Sequence, residues 1–300
     1  MSRINKMQKD EIVFNTLAYS FITIFSLCCL IPFLFIISGS FSSERSIIEN
    51  GFSLIPGEFS LQAYKTVFAV PESILRAYGV TIFITVTGTL VGLFLSAMTA
   101  YVLQRKEFKY RNVFSFYFYF TSLFSGGLVP WYILMVRYLN MKNNILALIL
   151  PSLFNIFYII IIRSFIYSSI PDSISESAKI DGAGDFKIFI KLVLPLSKPV
   201  LATIGLFIAI GYWNNWFNAM LFIDKSNMLP LQYYLYKLLS QITMLRTLIS
   251  KVPQLSVSVT PPEESFKMAM TVVTIGPIIF LYPFLQKYFV KGIMIGAVKG

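Results

Sequence analysis

Histidine is absent from this 300-residue chain, cysteine occurs only at Cys28 and Cys29, and charged residues make up just 13% of it. The missing His, together with the lack of any carboxylate inside the apolar runs, removes the groups an intramembrane enzyme or a proton relay would need. Cys28 and Cys29 are neighbours in an apolar run; adjacent helical positions point about 100° apart, so they read as packing residues rather than a disulfide, redox pair or metal site. There is also no G-x-x-x-x-G-K-[ST] phosphate loop: Gly182 and Gly184 lack its spacing and its Lys-Ser/Thr ending, so ATP is not expected on this chain.

What the chain does have is apolar surface, with 56% hydrophobic and 16% aromatic residues. That balance belongs to a polytopic, all-α membrane protein. Cutting at the ionisable residues leaves six uncharged stretches, 12–43, 77–104, 112–136, 143–162, 199–223 and 268–286. Each reaches the roughly 19–20 residues that a helix needs to cross the hydrocarbon core. The first follows Arg3, Lys6 and Lys9 but is too long for a signal-peptide core and has no clear cleavage site, so an uncleaved first span is expected. The simplest organisation is one membrane domain over 1–300.

Orientation follows from the basic residues. With the N-terminus inside, fifteen of the 25 Lys and Arg fall in 1–11, 105–111, 163–198 and 287–300, and ten fall in the external segments. The short loop 105–111 is the sharpest marker. Both termini are therefore expected in the cytoplasm, and the net charge of +11 is mostly a topology signal that needs no nucleic-acid partner. The spans hold no Asp, Glu, Lys, Arg or His and show no convincing inverted repeat, so transport energy is expected from elsewhere. An ion-coupled secondary carrier is the alternative, since hydroxyls and carbonyls can still ligate sodium.

Between the fourth and fifth runs lies a polar loop with its own helix signals. Pro171 and Asp172 break the chain, Ser173-x-x-Glu176 has the form of a capping box, and about two helical turns are expected to Asp181. Gly182 suits the left-handed position that closes a helix. Gly184 and Asp185 then start a second short helix ending near Leu194-Pro195. Ser177, Ala178, Gly182 and Ala183 are small enough for another backbone to approach closely. From local signals alone, an amphipathic hairpin on the membrane surface fits equally well.

The spacing goes further. Glu176-Ser177-Ala178, Gly182, then Leu192-x-Leu194-Pro195 resembles the E-A-A-x3-G-x9-I-x-L-P loop of ATP-binding-cassette importer permeases, with Ser177 and Leu192 as the two departures. Asp181-Gly182-Ala183, the run Tyr212 to Asn218 and the tail from Gln286 to Gly300 are similar to the MalG-like permeases of carbohydrate importers. The resemblance covers nearly the whole chain. It implies a type I importer permease fold with six transmembrane helices in a bacterial plasma membrane, a permease core over about 73–289, a coupling-helix loop at 164–198 and an external loop at 224–267. It further implies a second homologous permease, two ATPase subunits that bind ATP and Mg, an extracytoplasmic solute-binding protein, a sugar cargo and surrounding membrane lipid. No cofactor is expected on this chain. Glu176 would meet the ATPase subunit and Gly182 would make the turn; MalG-like branches carry oligosaccharides, some of them uronate-bearing.

Other residues carry weaker expectations. Trp213, Asn214, Asn215, Trp216 and Asn218 offer indoles and amides suited to sugar rings and hydroxyls, although an aromatic belt with interhelical amide bonds explains them as well. Asn155, close to Pro151, is a further polar candidate or a packing residue. Gly88, Gly92, Ser96 and Ala100 form a small-residue stripe for close helix contact within this subunit. Gly126-Gly127 with Pro130, and Pro277 and Pro283, are expected kinks. Leu231, Tyr234, Leu235, Leu238 and Ile242 follow a helical period in the external segment.

Overall fold

The computed structural model describes residues 9–251 and 262–279, and the regular elements among them are all helices. Backbone contacts divide the chain into two compact units, Met1–Ala69 with Leu238–Gly276, and Val70–Lys237 with Pro277–Gly300.

In the first unit, helix α1 (Lys9–Ser40) exposes apolar side chains on all sides from Ile12 to Leu30, the pattern of a helix bathed in lipid. The same unit is pinned by one buried carboxylate. Glu44 accepts hydrogen bonds from the backbone N–H groups of Glu264 (3.1 Å) and Ser265 (3.0 Å) and from Ser265 Oγ (2.9 Å). It thereby caps the start of the helix over residues 264–279, where unpaired N–H groups and the helix dipole favour an anion. Arg246 Nη1 reaches Glu263 at 2.8 Å beside it, and this partner holds the Glu263 carboxyl below its ordinary range.

The second unit is organised around α2 (Pro71–Gln104), which begins with Pro at its first turn, where the missing N–H costs nothing. Its longer helices after α2 include α3 (Arg111–Leu123), α4 (Ile156–Ser169), α5 (Asp172–Ile180), α6 (Lys198–Trp213) and α7 (Trp216–Phe222). Helix α8 (Leu231–Lys251) occupies much of the expected external segment, with Leu231, Leu235 and Ile242 buried along one side.

By length and composition, α1 through Glu11–Ser40 and α2 can each cross a membrane alone, and three further candidates are bent pairs. The expected third run, 112–136, is not one straight helix. Its pieces Arg111–Leu123 and Leu128–Tyr138 meet at 111°. Helix α3 ends at Leu123, Phe124 is extended, and Gly127 takes φ +86, open to glycine without strain, directly before the second piece, whose first turn holds Pro130. Leu146–Ser152 and Ile156–Ser169 meet at 48°, with Pro151 in the 3-10 turn that ends the first piece. The fifth run is interrupted at Asn214-Asn215 between α6 and α7. The sixth begins within the helix over 264–279; its remainder, with Pro283 and the tail 286–300, lies outside the described residues.

The small-residue stripe of α2 faces its own subunit. The Tyr212 ring occupies the space above Gly88, where an added Cβ would fall 2.4 Å from Cζ, and Gly92 lies under the Leu153 carbonyl, 3.3 Å from such an atom. Ser96 and Ala100 are buried further along the same face. Tyr212 Oη donates to Ile149 O at 2.7 Å and Asn215 Nδ2 to Leu148 O at 2.9 Å. One aromatic ring thus ties α6 to α2 and to the bent segment 146–152, while both amide and phenol satisfy carbonyls freed by the bend. Gly88→Ala should cost about 1–3 kcal/mol through overpacking against this ring, read as a lower thermal midpoint of the detergent-solubilised protein. Gly79→Ala, on the same helix with open space at its Cβ position, should leave the midpoint unchanged.

Candidate functional site

The polar loop folds as two short helices joined at a glycine. Helix α5 ends in a Schellman motif: Gly182 sits at φ +77, its N–H donates to Lys179 O (3.0 Å), and Ala183 N–H donates to Ala178 O (2.9 Å). Asp181 is the last residue of the turn. The second helix starts at Asp185, contains a π-turn over Phe189–Val193, and continues through Leu194-Pro195 to Leu196, before the chain bends by 84° into α6.

The capping box expected at Ser173 does not form. Helix α5 starts two residues earlier than a Ser173 cap would set it, Pro171 occupies the cap position at φ −60, ψ 139, and no side chain caps it. Asp172 takes the first helical position, where a carboxylate is favoured by the N-terminal dipole. Its oxygens are also occupied from outside the loop: Lys106 Nζ is 2.8 Å away and Gln104 Nε2 3.2 Å. Ser173 is exposed within the helix.

These contacts belong to a brace between the loop and the segment 104–107. Lys179 Nζ lies 2.5 Å from Glu107 Oε2 and 3.4 Å from Asp185 Oδ1; Arg105 Nη2 lies 3.0 Å and 3.7 Å from the same two carboxylates. The Arg105 side chain is 12% exposed and lies over the Tyr101 ring at 5.7 Å. Phe189 of the second loop helix stacks on Tyr101 at 5.5 Å and meets Phe94 edge-on at 5.8 Å. The hydrogen bond from Lys179 lowers the Glu107 pKa, and that from Lys106, then that from Gln104, lowers the Asp172 pKa. Since both folded-state values are depressed, the stabilisation is complete above the usual carboxylate range of about 4 and is lost as pH falls through the lowered values.

The brace leaves one face of α5 open. Glu176 and Ser177 are exposed, Ala178 is half-buried against the core, and Glu176 has no hydrogen bond or ion pair among the described residues. Ile180 is 87% exposed and Phe186 65%. Neither aliphatic Ile180 nor aromatic Phe186 stood out in the sequence; an apolar residue between Lys179 and Asp181 was the signal available. Asp185 starts the second helix as expected, but its pairing with Lys179 and Arg105, like that of Glu107, had no local signal, because the basic residues around Glu107 already had an explanation in topology.

The polar residues of the fifth run are dispersed. Trp213 and Asn215 are buried, and Asn215 is engaged with Leu148 O. Asn214 is exposed and accepts from Gln232 Nε2, Trp216 packs on Tyr236 at 5.5 Å, and Asn218 is half-buried on α7. Asn155 caps α4 by accepting from Phe157 N–H at 2.9 Å. It also lines a cleft of about 240 Å³ with Ser152, Tyr158, Phe207, Gly211 and Tyr212. That cleft holds hydroxyls, an amide and a stacked Tyr158–Phe207 pair, the surface chemistry that binds sugar rings.

Residues 88–295 match the model of the family described as binding-protein-dependent transport system inner membrane component. The polygalacturonan/rhamnogalacturonan transport system permease protein YtcP of Bacillus subtilis (strain 168) is 41% identical over 96% of this chain and 99% of its own length. Protein LplC of the same organism is 44% identical over 90% of each chain. Among solved structures, a chain from the crystal structure of a bacterial ABC transporter involved in the import of the acidic polysaccharide alginate superposes with a TM-score of 0.78. It is 33% identical over 94% of this chain and 99% of that one.

Gly182→Ala places a Cβ in the left-handed region, which costs about 1–2 kcal/mol. Amide hydrogen exchange at 178–183 should speed by about five- to thirtyfold. Gly184→Ala, at φ −70 with open space around it, should leave exchange there unaltered.

Proposed function

This chain belongs to the family of binding-protein-dependent transport system inner membrane components, and on that premise we propose that the loop 171–197 seats on a cytoplasmic ATPase subunit while the helices form half of a path for acidic oligosaccharides. The chain is a transport subunit of an ATP-binding-cassette importer rather than an enzyme. ATP and Mg are held by two ATPase partners, a second homologous permease completes the path, and an extracytoplasmic binding protein delivers the sugar.

The observation that carries this reading is the rigidly held yet open face of α5. A helix fixed at its C-terminus by the Schellman turn, and along one flank by Lys106, Glu107 and Arg105, presents Glu176, Ser177 and Ile180 outward. An exposed carboxylate beside an exposed aliphatic residue suits a cleft with a cation and an apolar wall. ATP-driven closure of the partner subunits would then move α5 and, through the brace, α2. The basic balance of 105–111 and 163–198 supports placing this face in the cytoplasm.

The acidic cargo is supported by the uronate-type substrates named for the similar permease and for the similar crystallised transporter. Ser152, Asn155 and Tyr158 in the 240 Å³ cleft are the residues proposed to line its path on this subunit. An ion-gradient carrier would work without ATPase partners, which separates the two readings directly.

In proteoliposomes containing the whole complex, Glu176→Ala should lower ATP-driven uptake by about tenfold or more while the complex still hydrolyses ATP and the chain stays in the membrane. Uptake unchanged by this variant would remove the docking assignment. Binding of a saccharide panel by the cognate binding protein should favour oligogalacturonides over neutral maltodextrins; the reverse order would leave the importer reading intact and overturn the acidic cargo.

A further inference from the structure

Beside the brace, and sharing Gln104 and Lys106 with it, lies a basic concavity. It measures about 530 Å³ and is lined by Lys106, Arg111 and Arg163 with Asn112, Ser164 and Tyr167. Of the three cations only Lys106 has a carboxylate partner, Asp172. Among the described residues neither Arg111 nor Arg163 has one, and Arg163 Nη1 makes a neutral contact of 3.0 Å with Ser115 Oγ, which itself donates to Arg111 O at 2.6 Å. Two half-buried guanidiniums thus share one cavity with no anion to balance them. Removing such charges from water is costly unless a counter-charge is supplied.

A second cavity of about 390 Å³ adjoins the first and shares Ile160 and Arg163 with it. Its walls are Leu103, Phe116, Tyr119, Ile156 and Ile159, with Ser115 at the shared end. The two together run along α3 and α4 from a cationic end to an apolar one. Arg163 is six residues from the end of α4 at Ser169, about 9 Å along the helix axis, on the side assigned to the cytoplasm by the basic residues.

We infer that this pair of cavities binds one anionic phospholipid, its phosphate held by Arg111 and Arg163 and an acyl chain lying between Phe116, Tyr119, Ile156 and Ile160. Guanidinium forks match phosphate oxygens in pairs, and a diffusing inorganic anion would have no use for the apolar extension. The side assigned to the cytoplasm by the basic residues is also the side where the leaflet is negatively charged. Because the site flanks the segment that braces the coupling loop, an occupied site would hold α3 and α4 in place beside Lys106. The inference is independent of which sugar is carried.

The test uses the complete transporter in nanodiscs of phosphatidylcholine, with trace phosphatidylglycerol or phosphatidylcholine carrying a diazirine in the acyl chain, and maps the photolabel by peptide mass spectrometry. The phosphatidylglycerol probe should label 111–123 and 156–169 about tenfold more than the phosphatidylcholine probe. The paired change Arg111→Gln with Arg163→Gln should abolish that preference, and Arg111→Lys with Arg163→Lys should keep most of it. Ile160→Trp, which fills the apolar groove and leaves the charges, should reduce labelling by both probes there. Equal labelling by the two probes, a preference that survives the paired Gln change, or loss of label on adding inorganic phosphate would each overturn the lipid assignment. So would labelling of the isolated chain but not the complex, since the groove would then be covered by a partner subunit.

Discussion

The seating of the loop on the end of α2 depends on one cluster of four charges, Arg105, Glu107, Lys179 and Asp185. Each pair alone is a solvent-accessible contact of the kind that contributes little to stability. The cluster acts differently because its members come from two segments far apart in sequence and because Arg105 is largely covered by the Tyr101 ring. Asp172 with Lys106 and Gln104 adds a second attachment at the other end of α5. A short helix of nine residues would be marginal in isolation. Held at both ends, it has a fixed orientation and one free face.

The brace gains its meaning from where α2 goes next. From Arg105 the helix runs back to Gly88, seventeen residues or about 25 Å along its axis, and there receives the Tyr212 ring. Tyr212 in turn is bonded to Ile149 O, and its neighbour Asn215 to Leu148 O. On the proposed function, displacement of the loop would reach the bent segment 146–152 and the cleft beside Asn155 through these packed and hydrogen-bonded side chains. The second loop helix is tied in by Phe189 against Tyr101 and Phe94, so both arms of the loop rest on the same lever.

The parts of this arrangement that were legible in the sequence are those set by local chemistry. Gly182 was readable because only glycine adopts φ +77 without strain, and the small-residue stripe on α2 because four residues recur at helical spacing. The capping box failed for a non-local reason: Asp172 is held by Lys106 and Gln104, so the helix starts before Ser173. Glu107 was hidden by composition, since a loop dense in Lys and Arg already satisfies a rule about membrane orientation. The break in the third run was legible in Gly126-Gly127 and Pro130, although the count of uncharged residues still made the run one span and gave no sign of a turn as sharp as 111°. Asn215 and Trp213 were attractive as sugar ligands by residue type, yet burial against Leu148 and neighbouring helices gives Asn215 a structural bond, leaving Asn155 and the unheralded Ser152 and Tyr158 on the open cleft.

The central claim is that α5 and the segment 104–107 travel as one body through the transport cycle. A complex in which Cys28 and Cys29 are replaced by serine, and Gln104 and Ser173 by cysteine, keeps the four charges and the Lys106–Asp172 contact and allows the two segments to be joined by a short bismaleimide. If the brace persists throughout, the joined complex keeps ATP-driven uptake at the level of the same complex before joining. Uptake abolished by joining, with the unjoined double-cysteine complex active, would mean that the two segments separate during the cycle and would contradict the account.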